Sequence, residues 1–292
     1  MTSGNTASLF REFLEMSKPR IVSMVLVTTT IGFFLGGYGF HNGLVFVATL
    51  LGTALGAAGS AVLNNYIERE SDRNMGRTRN RALPSGRVDS TVALSVGVTM
   101  VLWGVTLLAC FVNLLSAFLV LLTAFLYVLV YTPLKRVSWW NTPIGAIPGA
   151  LPPMIGWAAA AGELDAGAWI LFAILFAWQH PHFYAIAWMY RADYREGGLQ
   201  MLSVVDPSGR RVIRQSILFS VGLLGVSLLL THMKVTGDIY LVGAIVLGLS
   251  MLAACLMFAK SLTHLAARRV LLTSVVYLPV LLLLIVVDAS IP

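Results

Sequence analysis

Nine apolar runs, each long enough to cross a bilayer, recur along this chain of 292 residues. A transmembrane helix needs about 20 mostly apolar residues to cover roughly 30 Å of hydrocarbon. With 58% hydrophobic and only 11% charged residues, the composition excludes a soluble globular domain. The sequence therefore predicts an all-α membrane protein that forms one polytopic domain over residues 1–292. The runs lie near residues 21–38, 44–66, 91–111, 114–132, 141–160, 167–189, 213–231, 238–258 and 270–288.

The basic residues lie in alternate loops between these runs. If the N-terminus is cytoplasmic, 19 of the 20 Lys and Arg residues fall on the cytoplasmic side, and only Lys234 does not. This asymmetry predicts a cytoplasmic N-terminus and an outside C-terminus. The net charge of +7 then follows from topology and contact with anionic lipid, and it gives no reason to expect nucleic-acid binding. Two long polar segments, near 67–90 and 190–212, share the cytoplasmic side, where we expect the functional site.

A row of polar residues continues the second apolar run, with Asn64, Glu68 and Asp72 spaced four residues apart. On a helix such positions share one face and lie about 6 Å apart along the axis. One amide and two carboxylates offer the hard oxygen ligands that Mg²⁺ prefers. The alternative is a solvated juxtamembrane helix whose charges pair with each other and with lipid headgroups. We favour the metal site because the row starts inside the apolar run, where an unpaired polar group is costly.

Basic residues suited to phosphate oxygens accompany this row. Five arginines follow or interleave with it: Arg69, Arg73, Arg77, Arg79 and Arg81. Lys135 and Arg136 close the fourth run on the same side and are candidates to clamp a diphosphate or a carboxylate. The alternative for Lys135 and Arg136 is that they only anchor the helix end at the membrane surface. Together with the acidic row, the cations predict a metal–diphosphate site.

Two further features lie inside the apolar runs. His180 and His182 are about 200° apart on a helix, so they are not expected to ligate one ion together. His182 is a candidate for contact with a polar substrate or for proton relay, and the alternative is a hydrogen-bonded structural role.

Glycine and proline interrupt the fifth run near 145–156. Close helix packing and an opened helix lining a cavity both remain open for this run.

These motifs, taken together, resemble the intramembrane UbiA-type prenyltransferases, and more narrowly the branch of that family that farnesylates heme. The resemblance covers most of the chain. It rests on Lys18-Pro19-Arg20, the stretch from Asn64 to Arg81, Tyr131 to Arg136, Ile144 to Trp157, Trp178 to Phe183, and Arg191-x-Asp193-Tyr194.

The resemblance implies nine helices around a central cavity, in a bacterial inner membrane. It implies transfer of the farnesyl group of farnesyl diphosphate, with water, to the 2-vinyl group of heme B, giving heme O. The implied cofactor is Mg²⁺, held directly or through water by Asn64, Glu68 and Asp72. Catalytic roles extend to Lys135 and His182. The implied diphosphate ligands are Arg73, Arg77, Arg81, Lys135, Arg136, Arg191 and Asp193. A downstream heme A synthase or oxidase assembly is an expected partner.

Two positions depart from the wider family pattern. Glu68 stands where many members have Asp, and the second Asp-x3-Asp motif is replaced by a stretch containing Tyr190, Asp193 and Tyr194. The heme branch shares this loss, which favours heme as the acceptor. Three alternatives remain: a UbiA-type enzyme that prenylates an aromatic quinone precursor, a secondary transporter, and a heme-binding membrane subunit without catalysis.

Overall fold

The computed structural model describes residues 3–37 and 39–289, with side chains from residue 9 onward. In this part of the chain all regular structure is helical. Residue 38, the predicted end of the first span, lies outside the described residues, as do residues 1–2 and 290–292. Nine helical stretches within the described residues are long and apolar enough to cross a membrane, which confirms the predicted count: Pro19–Gly36, Gly43–Arg73, Ser90–Phe111, Leu114–Leu134, Asn141–Ala161, Ala166–Met189, Arg210–His232, Asp238–Lys260 and His264–Ala289.

The helices are numbered in chain order. Helix α1 precedes the first span, the fourth span contains a π-helical segment at Leu126–Tyr131, and the fifth span consists of two helices. The helices are α1 (Ser3–Met16), α2 (Pro19–Gly36), α3 (Gly43–Arg73), α4 (Ser90–Phe111), α5 (Leu114–Phe125), α6 (Thr132–Leu134), α7 (Asn141–Ala150), α8 (Pro152–Ala161), α9 (Ala166–Met189), α10 (Arg191–Glu196), α11 (Leu202–Val205), α12 (Arg210–His232), α13 (Asp238–Lys260) and α14 (His264–Ala289).

Side-chain caps determine where several spans begin. The side chains of Asn42, Asp89, Asn113 and Asp165 each accept hydrogen bonds from backbone N–H groups in the first turn of the helix that follows. Such caps satisfy N–H groups that have no partner within the helix. The Asn113 cap explains how only two residues separate the third and fourth spans. At the other end of the chain, Asp288 accepts from the N–H groups of Gly237 and Tyr240 and so caps α13 from α14.

Helix α3 extends to Arg73, seven residues beyond the end predicted near residue 66. The predicted end marks the loss of apolar character, whereas the helix continues because its polar side chains find partners. The Asn65 amide, for example, donates to the carbonyls of Met16 and Ala61. The extension keeps Asn64, Glu68 and Asp72 on one helix, as the four-residue spacing predicts.

The fifth span breaks at Leu151, between α7 and α8, which confirms the predicted interruption. Pro152 opens α8 because proline tolerates the first helical turn, where its missing N–H is not needed. Helix α8 then packs closely on α2. A Cβ added at Gly32 would overlap the carbonyl of Pro153, and one added at Gly156 would overlap the carbonyl of Thr29. In α8, therefore, glycine serves close helix packing.

Loops 74–89, 135–140 and 190–209 meet at one end of the bundle, which we call the basic end. The Gln200 N–H donates to the Lys135 carbonyl at 2.6 Å, and a Cβ on Gly197 would lie 2.8 Å from Met75 Cγ. Met75 also belongs to a small buried apolar cluster with Leu199, Met201 and Ala187. The two long polar segments of the sequence are thus packed against each other.

Candidate active site at the basic end

The polar row of α3 is buried where it meets the basic end. Asn64, Glu68 and Asp72 are at most 9% exposed. Buried carboxylates are costly unless a cation or hydrogen-bond donor compensates them. Both carboxylates have such a partner: Lys135 Nζ lies 2.6 Å from Glu68 Oε1, and Arg81 Nη1 lies 2.8 Å from Asp72 Oδ2. The structure therefore brings together five of the residues that the sequence singled out.

Asn64 is held by Lys18 and Thr132, which belong to sequence motifs but are not among the predicted site residues. Lys18 Nζ donates to Asn64 Oδ1 at 2.8 Å, and Asn64 Nδ2 donates to Thr132 Oγ1 at 3.0 Å. These contacts join the start of α2, the row on α3 and the start of α6. In this arrangement the amide oxygen of Asn64 faces an ammonium group, so Lys18 has to move before that oxygen ligates a metal.

Lys18 is held in a left-handed backbone conformation, with φ of 52° and ψ of 61°. It is one of two non-glycine residues with positive φ in the described residues, the other being Lys234. A non-glycine residue in this region carries a backbone strain of roughly 1–3 kcal/mol. The conformation separates α1 from α2 and directs Lys18 toward Asn64. The Lys18-Pro19-Arg20 motif marks the residue in the sequence, but helical periodicity gives no sign of this direction.

The local helix geometry positions Lys135. It follows the π-helical segment Leu126–Tyr131, a rare distortion that is frequent at functional sites. Lys135 Nζ lies 4.4 Å from the centroid of the Tyr131 ring, which stacks on Tyr127 at 5.5 Å. A Cβ at Gly145 would overlap the Tyr131 ring, so glycine at that position makes room for it. The aromatic pair thus forms one wall of the ionic site.

Burial disfavours the charged form of both lysines, but their different neighbours leave the two pKa values shifted in opposite directions. Burial lowers the pKa of Lys18 to about 8, and the more distant Glu68 carboxylate only partly offsets this effect. Burial also opposes the charged form of Lys135, but the adjacent Glu68 carboxylate and the tyrosine rings raise the pKa of Lys135 well above its usual value. Lys135 therefore holds its proton more tightly than Lys18 does.

One oxygen at the centre of the site has no partner. Asp72 Oδ1 is buried and makes no hydrogen bond, although Oδ2 of the same carboxylate pairs with Arg81. Among the described residues, no group of three or more His, Cys, Asp or Glu side chains could hold a metal. The available oxygen donors are therefore two carboxylates and an amide, which suit a hard cation that keeps several waters. The residues at this site fit Mg²⁺.

The remaining predicted diphosphate ligands lie around this centre. The Arg77 guanidinium lies 5.3 Å from the centroid of the Tyr190 ring. This contact bridges the two long loops. Burial raises the pKa of the Tyr194 hydroxyl, which lies within electrostatic range of Arg77 and Lys135. Asp193 is half-buried on the same short helix, α10. Tyr190 and Tyr194 thus occupy the region where a second acidic pair was missing.

Three other predicted cations engage different partners in this structure. Arg73 pairs with Glu70 at 3.0 Å. The Arg191 guanidinium lies over the Trp188 ring at 4.2 Å. Arg136 contacts the Ile67 carbonyl at 3.4 Å and lines a cleft of about 260 Å³. Their diphosphate role stays a prediction, since each has to rotate to join Arg81 and Lys135.

The two histidines of α9 face different helices, as their angular separation predicts. His180 Nδ1 lies 2.7 Å from the Phe176 carbonyl, and its ring stacks on Phe219 of α12. His182 Nδ1 lies 2.7 Å from Ser274 Oγ of α14, and its ring stacks on Trp178. His180 is fully buried, which fits the structural role, whereas His182 is half-buried. The accessible imidazole is therefore that of His182.

Comparison with known proteins extends this description. The model of the UbiA prenyltransferase family matches residues 25–285. The chain belongs to the UbiA prenyltransferase family. Two similar proteins, both named protoheme IX farnesyltransferase, come from Solibacter usitatus and Salinibacter ruber. The first is 47% identical over 287 residues, covering 95% of this chain and 98% of that protein. The second is 45% identical over 277 residues, with the same coverage of 95% and 98%.

Solved structures share the UbiA fold at low sequence identity. A digeranylgeranylglyceryl phosphate synthase structure matches with a TM-score of 0.79 and 18% identity, covering 96% of this chain and 98% of that one. A UbiA homologue from Archaeoglobus fulgidus bound to GPP and Mg²⁺ matches with a TM-score of 0.63 and 15% identity, covering 94% and 99%. At this identity the likeness establishes the fold alone, and it confirms the predicted UbiA-type helical bundle.

Proposed function

We propose that this protein transfers the farnesyl group of farnesyl diphosphate, with water, to the 2-vinyl group of heme B, giving heme O and diphosphate. The observation that carries the reaction class is the buried ionic row, in which Arg81 and Lys135 pair with Asp72 and Glu68 and one Asp72 oxygen has no partner. The names of relatives up to 47% identical support heme as the acceptor. The product would pass to a downstream heme A synthase or oxidase assembly.

The residues of the ionic row would hold Mg²⁺ and the diphosphate together. Asn64, Glu68 and Asp72 would bind the metal, directly or through water. When bound, Mg²⁺ would supply positive charge against the developing negative charge of the leaving diphosphate. A solved UbiA homologue from Archaeoglobus fulgidus binds GPP and Mg²⁺, which supports Mg²⁺ as the cofactor in this proposal.

The cations of the row would change partners when the diphosphate arrives. In the structure Lys135 and Arg81 neutralise the two carboxylates. With the two carboxylates holding Mg²⁺, Lys135 and Arg81 would both be available to the phosphate oxygens. Arg77 would join them from loop 74–89. Such donors lower the barrier because they stabilise charge where it develops in the transition state.

The acceptor would lie on the side of α9. His182 is half-buried, with its Nδ1 2.7 Å from Ser274 Oγ and its ring stacked on Trp178, so part of the imidazole is exposed. We assign His182 a polar contact to heme, or to the water that captures the cation formed after the vinyl group attacks the farnesyl carbon. Heme B and farnesyl diphosphate would both reach the site from the bilayer.

Two other functions are less well supported. An enzyme that prenylates a quinone precursor would carry a second acidic pair, and this chain has Tyr190, Asp193 and Tyr194 in that region. A secondary transporter would place ionisable groups near the bilayer midplane. Here the acidic residue inside the last span, Asp288, caps the start of α13. Its role is therefore structural and does not indicate transport.

We further propose that the basic end faces the cytoplasm of a bacterial inner membrane. In this orientation the N-terminus is cytoplasmic, the C-terminus is outside, and residues 1–292 act as one membrane domain. The concentration of Lys and Arg in loops 74–89, 135–140 and 190–209 supports this orientation.

The function can be tested with purified protein, heme B, farnesyl diphosphate and Mg²⁺. Mass spectrometry should detect heme carrying one added farnesyl group and one added hydroxyl group. A parallel reaction with 4-hydroxybenzoate tests the nearest alternative. Product from the phenol and none from heme would replace the proposed acceptor with an aromatic one.

A further inference from the structure

Helix α1 has one face that belongs to the protein core of the basic end. Phe13 and Met16 pack with a buried apolar cluster. Glu12 forms a bidentate ion pair with Arg87, with distances of 2.7 and 3.1 Å. The Met16 carbonyl accepts from the Asn65 amide at 3.0 Å. The partners of Phe13 and Met16 in the cluster are Val62, Tyr66, Ala82, Leu83, Val88 and Ala93.

The other two faces of α1 differ sharply from each other. Phe10 is 71% exposed and Leu14 is 49% exposed. Arg11 and Glu15 form an exposed ion pair at 3.4 Å, with side chains 82% and 60% exposed. At about 100° per residue, the centre of the Phe10–Leu14 face lies about 100° from that of Arg11–Glu15 and about 140° from Met16. The helix thus has a protein face, a charged face and a separate apolar face.

The apolar face of α1 is continuous with the membrane surface of the bundle. Only two residues separate the end of α1 from Pro19, where the first span begins. The left-handed turn at Lys18 lets α1 leave the axis of that span. Ile21 and Met24, in the first turns of α2, are also exposed. Phe10 and Leu14 are thus exposed apolar residues on the helix that immediately precedes the exposed apolar start of the first span.

We propose that α1 lies in the lipid interface at the basic end, with Phe10 and Leu14 inserted between headgroups and acyl chains. A helix with an apolar face next to a charged face is the usual form of an interfacial helix. Exposed Arg11 and Arg20 flank the apolar face and suit the phosphate groups of anionic lipids. The Glu12–Arg87 pair then ties loop 74–89, which carries Arg77 and Arg81, to the membrane surface.

Spin labels on α1 test this surface directly. In a Cys110→Ser, Cys255→Ala background, single cysteines replace Phe10 or Leu14, and Arg11 or Glu15 as matched controls on the charged face. The labelled proteins are reconstituted in vesicles of phosphatidylethanolamine and phosphatidylglycerol. Collision of each label with oxygen, which concentrates in lipid, is compared with collision with a water-soluble nickel chelate.

Labels at 10 and 14 should shift the accessibility ratio toward oxygen, and labels at 11 and 15 toward nickel. Equal nickel accessibility at all four positions would overturn the proposal, because α1 would then lie in water. Protection of 10 and 14 from both agents would also overturn it, because protein rather than lipid would cover that face.

A second measurement leaves α1 unaltered, in case a label disturbs its docking. Vesicles containing a phospholipid with a photoactivatable diazirine on its acyl chain are irradiated with the unmodified protein. Peptide mass spectrometry should locate adducts at Phe10 and Leu14 and not at Arg11 or Glu15. Absence of adducts from residues 9–16, with adducts present on Ile21 or Met24, would count against lipid contact by α1.

Discussion

At the scale of single residues, Asp72 has the most unusual surroundings, because it combines burial, one ion pair and one unpaired oxygen. Asp72→Ala is expected to reduce turnover by about 10²–10³-fold, the usual effect of removing one electrostatic group from an active site. Activity with heme B and farnesyl diphosphate, measured on folded purified protein, checks this. Glu70→Ala, which removes an exposed carboxylate two positions away, is the matched control and should stay near the parent rate. Retained activity in Asp72→Ala would remove the proposed metal role.

Arg77 tests the diphosphate clamp. Arg77→Ala should raise the apparent KM for farnesyl diphosphate about tenfold, since a hydrogen bond to a charged group contributes roughly 1.5–3 kcal/mol. Arg79→Ala is the control, because Arg79 is an exposed arginine of the same loop. Steady-state kinetics over a range of farnesyl diphosphate concentrations distinguishes the two. An unchanged concentration dependence in Arg77→Ala contradicts the clamp.

Glycine substitutions at Lys18 and Lys234 separate the effect of a strained backbone from the effect of the Lys18 side chain. Lys18→Gly relieves a left-handed backbone and removes the ammonium group beside Asn64. We expect unchanged or slightly higher thermal stability together with an apparent KM for farnesyl diphosphate raised about tenfold. Lys234→Gly relieves the same kind of backbone outside the site and should leave the kinetics as they are. Equal kinetics in the two variants would exclude Lys18 from the site.

The sequence predicts some of these residues and not others for a physical reason. Asn64, Glu68 and Asp72 follow the period of a single helix, so their common face can be read from spacing. The arginine that pairs with Asp72 is selected by the conformation of loop 74–89. This conformation follows no regular spacing in the sequence, so it cannot be predicted from periodicity. Lys18 reaches the site through a left-handed turn, which the order of residues does not reveal.

At the scale of elements, the packing of α2 on α8 positions Lys18, which immediately precedes α2. Gly156→Ala should destabilise the protein by about 1–3 kcal/mol, because its Cβ would overlap the Thr29 carbonyl on the neighbouring helix. Gly222→Ala is the control: it lies within α12 and nothing lies within 4 Å of an added Cβ. It should be neutral or slightly stabilising, since alanine favours helix more than glycine does. Thermal unfolding in detergent measures both, and equal melting temperatures would contradict the close α2–α8 contact.

The sequence predicts the membrane spans, but it does not predict where a helix extends beyond its span or becomes π-helical. Apolar length predicts nine spans, and glycine and proline predict an interruption of the fifth span near residues 145–156, without locating it at Leu151. The extension of α3 to Arg73 and the π-helical segment before Thr132 are not readable, since both depend on hydrogen bonds formed only in the folded bundle. The π-helical segment sets the direction of the Lys135 side chain. The position of this cation in the site therefore cannot be predicted from the sequence.

At the scale of the whole molecule, the paired charges predict that metal and diphosphate bind together. Pyrophosphate alone would draw Lys135 and Arg81 from buried carboxylates, and Mg²⁺ alone would leave those cations without partners. We expect Mg²⁺ to tighten pyrophosphate binding by roughly tenfold or more, within the usual range of coupling between sites. Calorimetric titration with and without EDTA measures this coupling. Independent binding of the two would contradict the exchange of partners.

The hydrogen bond from the Gln200 N–H to the Lys135 carbonyl has a consequence for turnover. Lys135 is attached to loop 190–209 through its main chain and to Glu68 through its side chain. In the proposed reaction, a displacement of that loop that releases diphosphate would also pull on the ammonium group that clamps it. Release of the leaving group and loosening of its clamp would then be coupled in one movement of the loop.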